Sequence, residues 1–234
     1  MSSTSATQGA RARAREEVTA AIKDEARRQL AADGAAKLSL RAVARELGMV
    51  SSALYRYFPS RDDLLTALII DAYDSLGAAA ESAHAEVAGR PPVRRWVTVC
   101  AAVRSWALEH PHEYALIYGS PVPGYTAPES TVRAAARVGL LLIGIVRDAH
   151  RGRGVAVQPL PPTLRTEGER LAADLAPDLP PAVIMALVAA WAQLFGLVGF
   201  EVFGQFHRIV EDRPEFFVHA ATQLAHGVGL LPQD

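Results

Sequence analysis

Between residues 39 and 65 the chain reads SLRAVARELGMVSSALYRYFPSRDDLL. Ser51, Ser52, Tyr55, Arg56, Tyr57 and Arg61 there gather hydroxyl and guanidinium groups into one short stretch. Serine hydroxyls and an arginine fork can bond base edges in a major groove. Tyrosine hydroxyls and arginine also bond phosphate oxygens, which set register rather than sequence. Ser39 stands where a helix N-cap belongs, and the free N–H groups behind it suit a phosphate. Each group has an ordinary alternative: the rings of Tyr55 and Tyr57 can seal a small core, and Arg41 and Arg56 can be solvated charges. Arg11, Arg13 and Arg15 can form an arm toward a minor groove or a solvated tail.

Bond-making chemistry is poorly served. The close pair His110 and His112 straddles a helix-breaking Pro111, an unsuitable frame for a metal. The single Cys100 excludes an intramolecular disulfide and falls on an apolar helix side, where packing is its expected role. No phosphate-binding glycine loop and no nucleophile elbow is present. The expectation is a binding protein, not an enzyme, with no metal and no cofactor.

The elements that must position these groups are helices. Of 234 residues, 50% are hydrophobic, which excludes general disorder. No stretch shows sustained period-2 alternation, so the fold class expected is all-α. Net charge is −1, but residues 1–63 carry +3 and the remainder −4, a basic head on an acidic body. Residues 1–10 are expected to be a disordered tail. A helix over 11–32 follows, with Val18, Ile22, Ala26 and Leu30 four apart, stopped by Asp33-Gly34. Short helices over 40–47 and 51–57 meet at Gly48, with Leu40, Val43, Ala44, Leu47, Val50, Leu54 and Phe58 as the inner set. Ser60 caps a helix fading near Gly89. Further helices are expected to His110, through Tyr114 and Tyr118, and over 131–150, 163–174, 181–210 and 214–227. The domains expected are 11–63, a helix-turn-helix unit, and 64–234, a helical body.

Two short helices joined at a glycine and braced by longer ones make the helix-turn-helix arrangement. Val43-Ala44, Gly48, Leu54-Tyr55, Tyr57-Phe58, Arg61 and Asp63-Leu64-Leu65 resemble the DNA-binding domain of TetR/AcrR transcriptional regulators. By position the resemblance implies that Arg41, Ser51 and Ser52 reach bases. It makes Tyr55 and Tyr57 phosphate or base contacts and Arg61 a phosphate ligand. Val50 departs from the family's usual serine, and Ser52 from its glycine or proline; Val50 could instead touch a thymine methyl.

The body resembles the family's divergent regulatory half. Trp191-Ala-Gln-Leu194-Phe195-Gly196 is similar to the Trp-His-Gly type of C-terminal domain, with Phe195 where histidine is usual. The resemblance implies a homodimer interface of Trp191, Leu194, Gly196, Leu197, Val198 and Gly199. Trp96, Trp106, Tyr114, Tyr118, Tyr125 and Phe195 form a candidate effector pocket for a small apolar or aromatic molecule, although each singly is ordinary core. The function so implied is a cytoplasmic, ligand-responsive repressor that binds a palindromic operator in double-stranded DNA as a homodimer. Two other readings stay open. The uncharged run 182–200 suits a membrane-anchored sensor with a DNA-binding head, and the body suits a helical small-molecule binder without regulated DNA release.

Overall fold

Apolar residues four apart on one face of the first helix, with a glycine stop, produce the framework on which the head is assembled. The computed structural model describes residues 3–232, with side chains from residue 9 on; among these residues every regular element is helical. The chain divides into two compact units, residues 1–72 with 112–132, and residues 73–111 with 133–234.

In the first unit α1 (Ser3–Asp33) buries Ile22, Ala26 and Leu30. It packs on α2 (Leu40–Glu46), which packs in turn on α3 (Ser51–Leu54). The first half of α4 (Arg61–Glu86) closes the core with Leu64, Leu65 and Leu68. Leu40, Val43, Ala44, Leu54 and Phe58 complete it, and each large side chain so buried stabilises the head by roughly 1.5–3 kcal/mol. Gly48 (φ 64°) ends α2: its N–H reaches the Arg45 carbonyl (3.1 Å) and the Met49 N–H reaches Ala44 (2.8 Å). That paired closure needs a left-handed residue, which glycine supplies cheaply. Ser60 starts α4 by accepting the Asp63 N–H (3.1 Å) while donating to the Asp63 carboxylate (2.7 Å). Lys23 and Arg27 of α1 bind both oxygens of Asp71 on α4 (2.8 and 2.7 Å). The helix α6 (Pro111–Tyr118) and the loop after it belong to this unit from His112, with Leu116, Val122 and Tyr125 packed on the same core.

In the second unit α5 (Pro92–Glu109) buries Trp96, Val99, Cys100, Val103 and Trp106, the apolar side read from the sequence. It packs against α8 (Arg137–Arg151), α10 (Pro181–Val202) and α11 (Arg213–Gly227), and α9 (Arg165–Leu175) packs on α10. Arg104 of α5 grips Glu201 of α10 with two bonds (2.6 and 2.5 Å), and its guanidinium lies over the Phe217 ring of α11 at 5.5 Å. Both charges are largely out of water, so each depends on the other.

Three expectations are corrected. Residues 3–10 continue α1 instead of forming a disordered tail; residues 1 and 2 lie outside the described residues. Extending a formed helix adds one hydrogen bond per residue fixed, and the single Gly9 does not stop it. The apolar helix ends at Val202, not 210, because Gly204 (φ 80°) repeats the Gly48 closure: Gln205 N–H to Phe200 (2.8 Å), Gly204 N–H to Glu201 (3.2 Å). The 131–150 helix is divided at Ala136 into α7 (Val132–Ala135) and α8.

The helix α10 is long and apolar enough to cross a membrane, with a mean hydropathy of 2.1. One stripe of it, Val183, Ile184, Leu187, Leu194 and Val198, is buried in its own unit. Replacing Glu201 by Gln strands the Arg104 charge. The expected loss is about 3–5 kcal/mol, a thermal midpoint lower by roughly 10 °C. Glu167→Gln, at an exposed pair with Arg170, leaves the midpoint unchanged.

Candidate nucleic-acid interface

Ser39 caps α2 as expected: its Oγ accepts the Ala42 N–H at 3.4 Å. Arg41 is exposed, and so is Arg45 one turn later, a second cation whose spacing from Arg41 puts both on one side. After the Gly48 turn, Val50 caps α3 through its backbone alone and is 71% exposed. Ser51 and Ser52 are exposed, Leu54 is fully buried, Tyr55 is 42% exposed and Arg56 is exposed. A four-residue helix with one anchoring leucine thus presents hydroxyl and guanidinium groups to solvent on its remaining sides.

Two arginines hold that surface from behind. Arg15 of α1 lies over the Tyr57 ring (5.1 Å) and donates to the Arg56 carbonyl (3.3 Å). It is therefore neither a free arm nor a loose tail, while Arg11 and Arg13 stay exposed. Tyr57 is half-buried, so ring packing and an accessible edge coexist. Arg61 donates to the carbonyls of Ala35 (2.8 Å), Ala36 (3.2 Å) and Leu38 (3.2 Å). Those carbonyls belong to the 3-10 turn Ala35–Lys37 and its cap, so the guanidinium ties the α1–α2 connection to the start of α4. The resemblance implies a phosphate ligand at this position; the geometry shows the guanidinium bound to three backbone carbonyls. No side-chain pattern shows this, because the partners are backbone groups. Lys37, exposed and held only loosely to Asp33 (3.9 Å), is a cation free to meet a phosphate.

The aromatic set is divided. Trp96, Trp106 and Phe195 lie in the second unit and Tyr114, Tyr118 and Tyr125 in the first. Trp106 donates to Ser75 Oγ (2.9 Å) and stacks on His110 (5.0 Å). Tyr114 and Tyr118 are in ring contact (5.3 Å), and the Tyr125 hydroxyl pairs with Thr66 (2.9 Å). Burial pushes the Tyr114 hydroxyl and the Cys100 thiol upward, so both stay protonated and unreactive. Trp96 is wholly buried, and its indole N–H has no acceptor, a deficit of about 1–3 kcal/mol. A groove of about 350 Å³ is lined by Leu140, Ile143, Leu175, Ile184, Leu187 and Trp191. None of the six aromatics lines it. Among the described residues no cluster of three or more His, Cys, Asp or Glu could hold a metal.

The interface set is divided by helical phase. Trp191 and Gly196 are exposed and Leu197 and Gly199 half-buried, but Leu194 and Val198 are fully buried in their own core and cannot meet another chain. The exposed stripe of α10 runs instead through Val188, Ala189, Ala192, Gly196 and Phe200, with Phe203 exposed just past its end. It is flanked by the groove at Trp191 and by a second of about 530 Å³ lined by Gln193, Gly196, Leu197, Phe200, Phe206 and His219.

Residues 22–68 match the family model described as bacterial regulatory proteins, tetR family, and residues 96–224 match the tetracyclin repressor-like C-terminal domain. The HTH-type transcriptional regulator Rv1816 of Mycobacterium tuberculosis is 38% identical over 224 residues, covering 92% of this chain and 94% of that protein. Among solved structures, a protein assigned a regulatory role, SCO4313, matches at TM-score 0.76 and 33% identity, over 92% of this chain and 98% of that one. RolR in complex with resorcinol matches at TM-score 0.54 and 15% identity, over 95% and 98%, a likeness of fold.

If Arg61 is a brace, Arg61→Ala lowers the thermal midpoint by several degrees. The slope of log affinity against log salt on duplex DNA then stays within about half a unit of the parent. A slope smaller by about 0.9 at an unchanged midpoint would identify a phosphate contact instead.

Proposed function

This chain belongs to the TetR family of bacterial regulatory proteins, DNA-binding transcriptional regulators and not enzymes, and we propose that it is a cytoplasmic repressor released by a small effector. The observation that carries the reading is the surface of α3: Ser51, Ser52, Tyr55 and Arg56 are exposed around a fully buried Leu54. In this reading Ser51, Ser52 and Arg41 contact bases. Tyr55, Tyr57, Arg56 and Lys37 contact phosphate, and Ser39 sets the start of α2. Residues 11–63 are the DNA-binding domain, and 64–234 serve effector binding and dimerisation. Residues 112–132 are the part of that second segment that packs on the head's own core.

A palindromic operator requires two heads at half-sites about 34–36 Å apart, hence a two-fold dimer. The exposed stripe of α10 supports this. Ala189, Ala192 and Gly196 permit close backbone approach, and Phe200 and Trp191 offer rings beside two grooves. An apolar stripe meeting its own copy also accounts for α10 without a membrane. The effector is small and apolar or aromatic; resorcinol, the ligand of the RolR structure, is of that class. Release follows if the effector binds a dimer whose heads are misspaced better than the operator-bound one, by a coupling of about 1–3 kcal/mol.

Selection of bound duplexes from a random pool tests the reading. A palindromic consensus is expected from the parent protein. Phe200→Glu is expected to give a smaller particle by light scattering and at least tenfold weaker operator binding. Binding without sequence preference, or a parent protein that is monomeric, contradicts it.

A further inference from the structure

Val50 is placed where the folded chain gains least from it. It is the N-cap of α3, with extended backbone (φ −70°, ψ 137°) and no side-chain hydrogen bond. Serine, threonine, aspartate and asparagine favour such a position because their oxygens accept a free N–H, and valine forgoes that. Its isopropyl group is also 71% exposed and is absent from the residues packed on the head's core, although Leu47 and Met49 beside it are included there. A lone exposed aliphatic residue is common; one that displaces a cap at the start of a surface-reading helix asks for an external partner.

The group is also held in place. On one side the Met49 N–H is bound to Ala44 (2.8 Å) through the Gly48 turn. On the other the Val50 carbonyl accepts the Ala53 N–H (2.9 Å), and Leu54 anchors the same turn. Branching at Cβ restricts the χ1 of valine, so less freedom is lost on contact than for an unbranched chain. The neighbours that follow, Ser51 and Ser52, are exposed hydroxyls suited to polar base edges. In the major groove the one apolar feature among base edges is the C5-methyl group of thymine.

We propose that Val50 is a specificity-determining residue that reads a thymine methyl group in each operator half-site. This rests on the DNA-reading assignment of α3 and adds what one position of it recognises. The valine replaces a stabilising cap with an apolar probe, so preference at that base pair comes from methyl burial rather than hydrogen bonding. Burying one methyl group corresponds to about a fourfold change in affinity per half-site, and both half-sites together to more than tenfold.

Deoxyuridine scanning of the selected operator tests this with the full-length protein. Replacing thymine by deoxyuridine keeps every hydrogen-bonding group and removes only the methyl. One thymine per half-site is expected at which the replacement weakens the parent protein about fourfold. Val50→Ser is expected to bind thymine and deoxyuridine there equally, with a thermal midpoint no lower than the parent's because serine restores the cap. Val50→Ala, which keeps an uncapped helix, is expected to lose most of the discrimination as well. A recovered operator with no deoxyuridine-sensitive position, or a sensitivity that Val50→Ser retains in full, overturns the proposal and leaves the DNA-reading assignment standing. A selection that yields no consensus overturns both.

Discussion

The head depends on the burial of Leu54. The helix α3 has only four residues and no stability of its own. What fixes its rotation is one leucine at 0% exposure between residues that all reach solvent. The surrounding core makes that anchor possible. Ala44 is buried and its carbonyl takes the Met49 N–H, Gly48 turns the chain left-handed, and Phe58, Leu64, Leu65 and Leu68 belong to the same core. Turn α3 by one residue and the leucine enters water while Ser52 or Ala53 enters the core.

Arginine is used here as much to build as to bind. Arg61 satisfies three carbonyls at the end of a 3-10 turn, Arg15 covers the Tyr57 ring, and Arg27 with Lys23 holds Asp71 so that α1 and α4 keep their register. In the other unit Arg104 and Glu201 lock α5 to α10. Arginine's planar fork and permanent charge suit all of these tasks. A basic residue count in the head therefore overstates how many cations remain for phosphate; around α2 and α3 the exposed ones are Lys37, Arg41, Arg45 and Arg56.

Much of the head was legible because its signals are local. Ser39, Gly48 and Ser60 act on backbone groups within a few residues, and Ile22, Ala26 and Leu30 lie at helical spacing. The body was less legible because α10 is apolar on every side, so its sequence carries no polar face to show which stripe points inward. The resemblance places Leu194 and Val198 at an interface, but both are buried in their own unit, whereas Phe200 and Phe203 are exposed. The aromatic set draws on both units, which the sequence does not show: Tyr125 pairs with Thr66 in the head's own unit, while Trp96 lies in the other. The hydrogen bonds of Arg61 are hidden in the sequence because their partners are carbonyls some twenty-five positions away.

The most direct test of the account is the ratio of affinities for the selected operator and for a scrambled duplex of equal length, measured at one salt concentration for the double variant Ser51→Ala, Ser52→Ala. The account predicts that the ratio falls at least tenfold while affinity for the scrambled duplex is held by the phosphate contacts. An unchanged ratio would mean that the solvent-facing side of α3 does not read sequence.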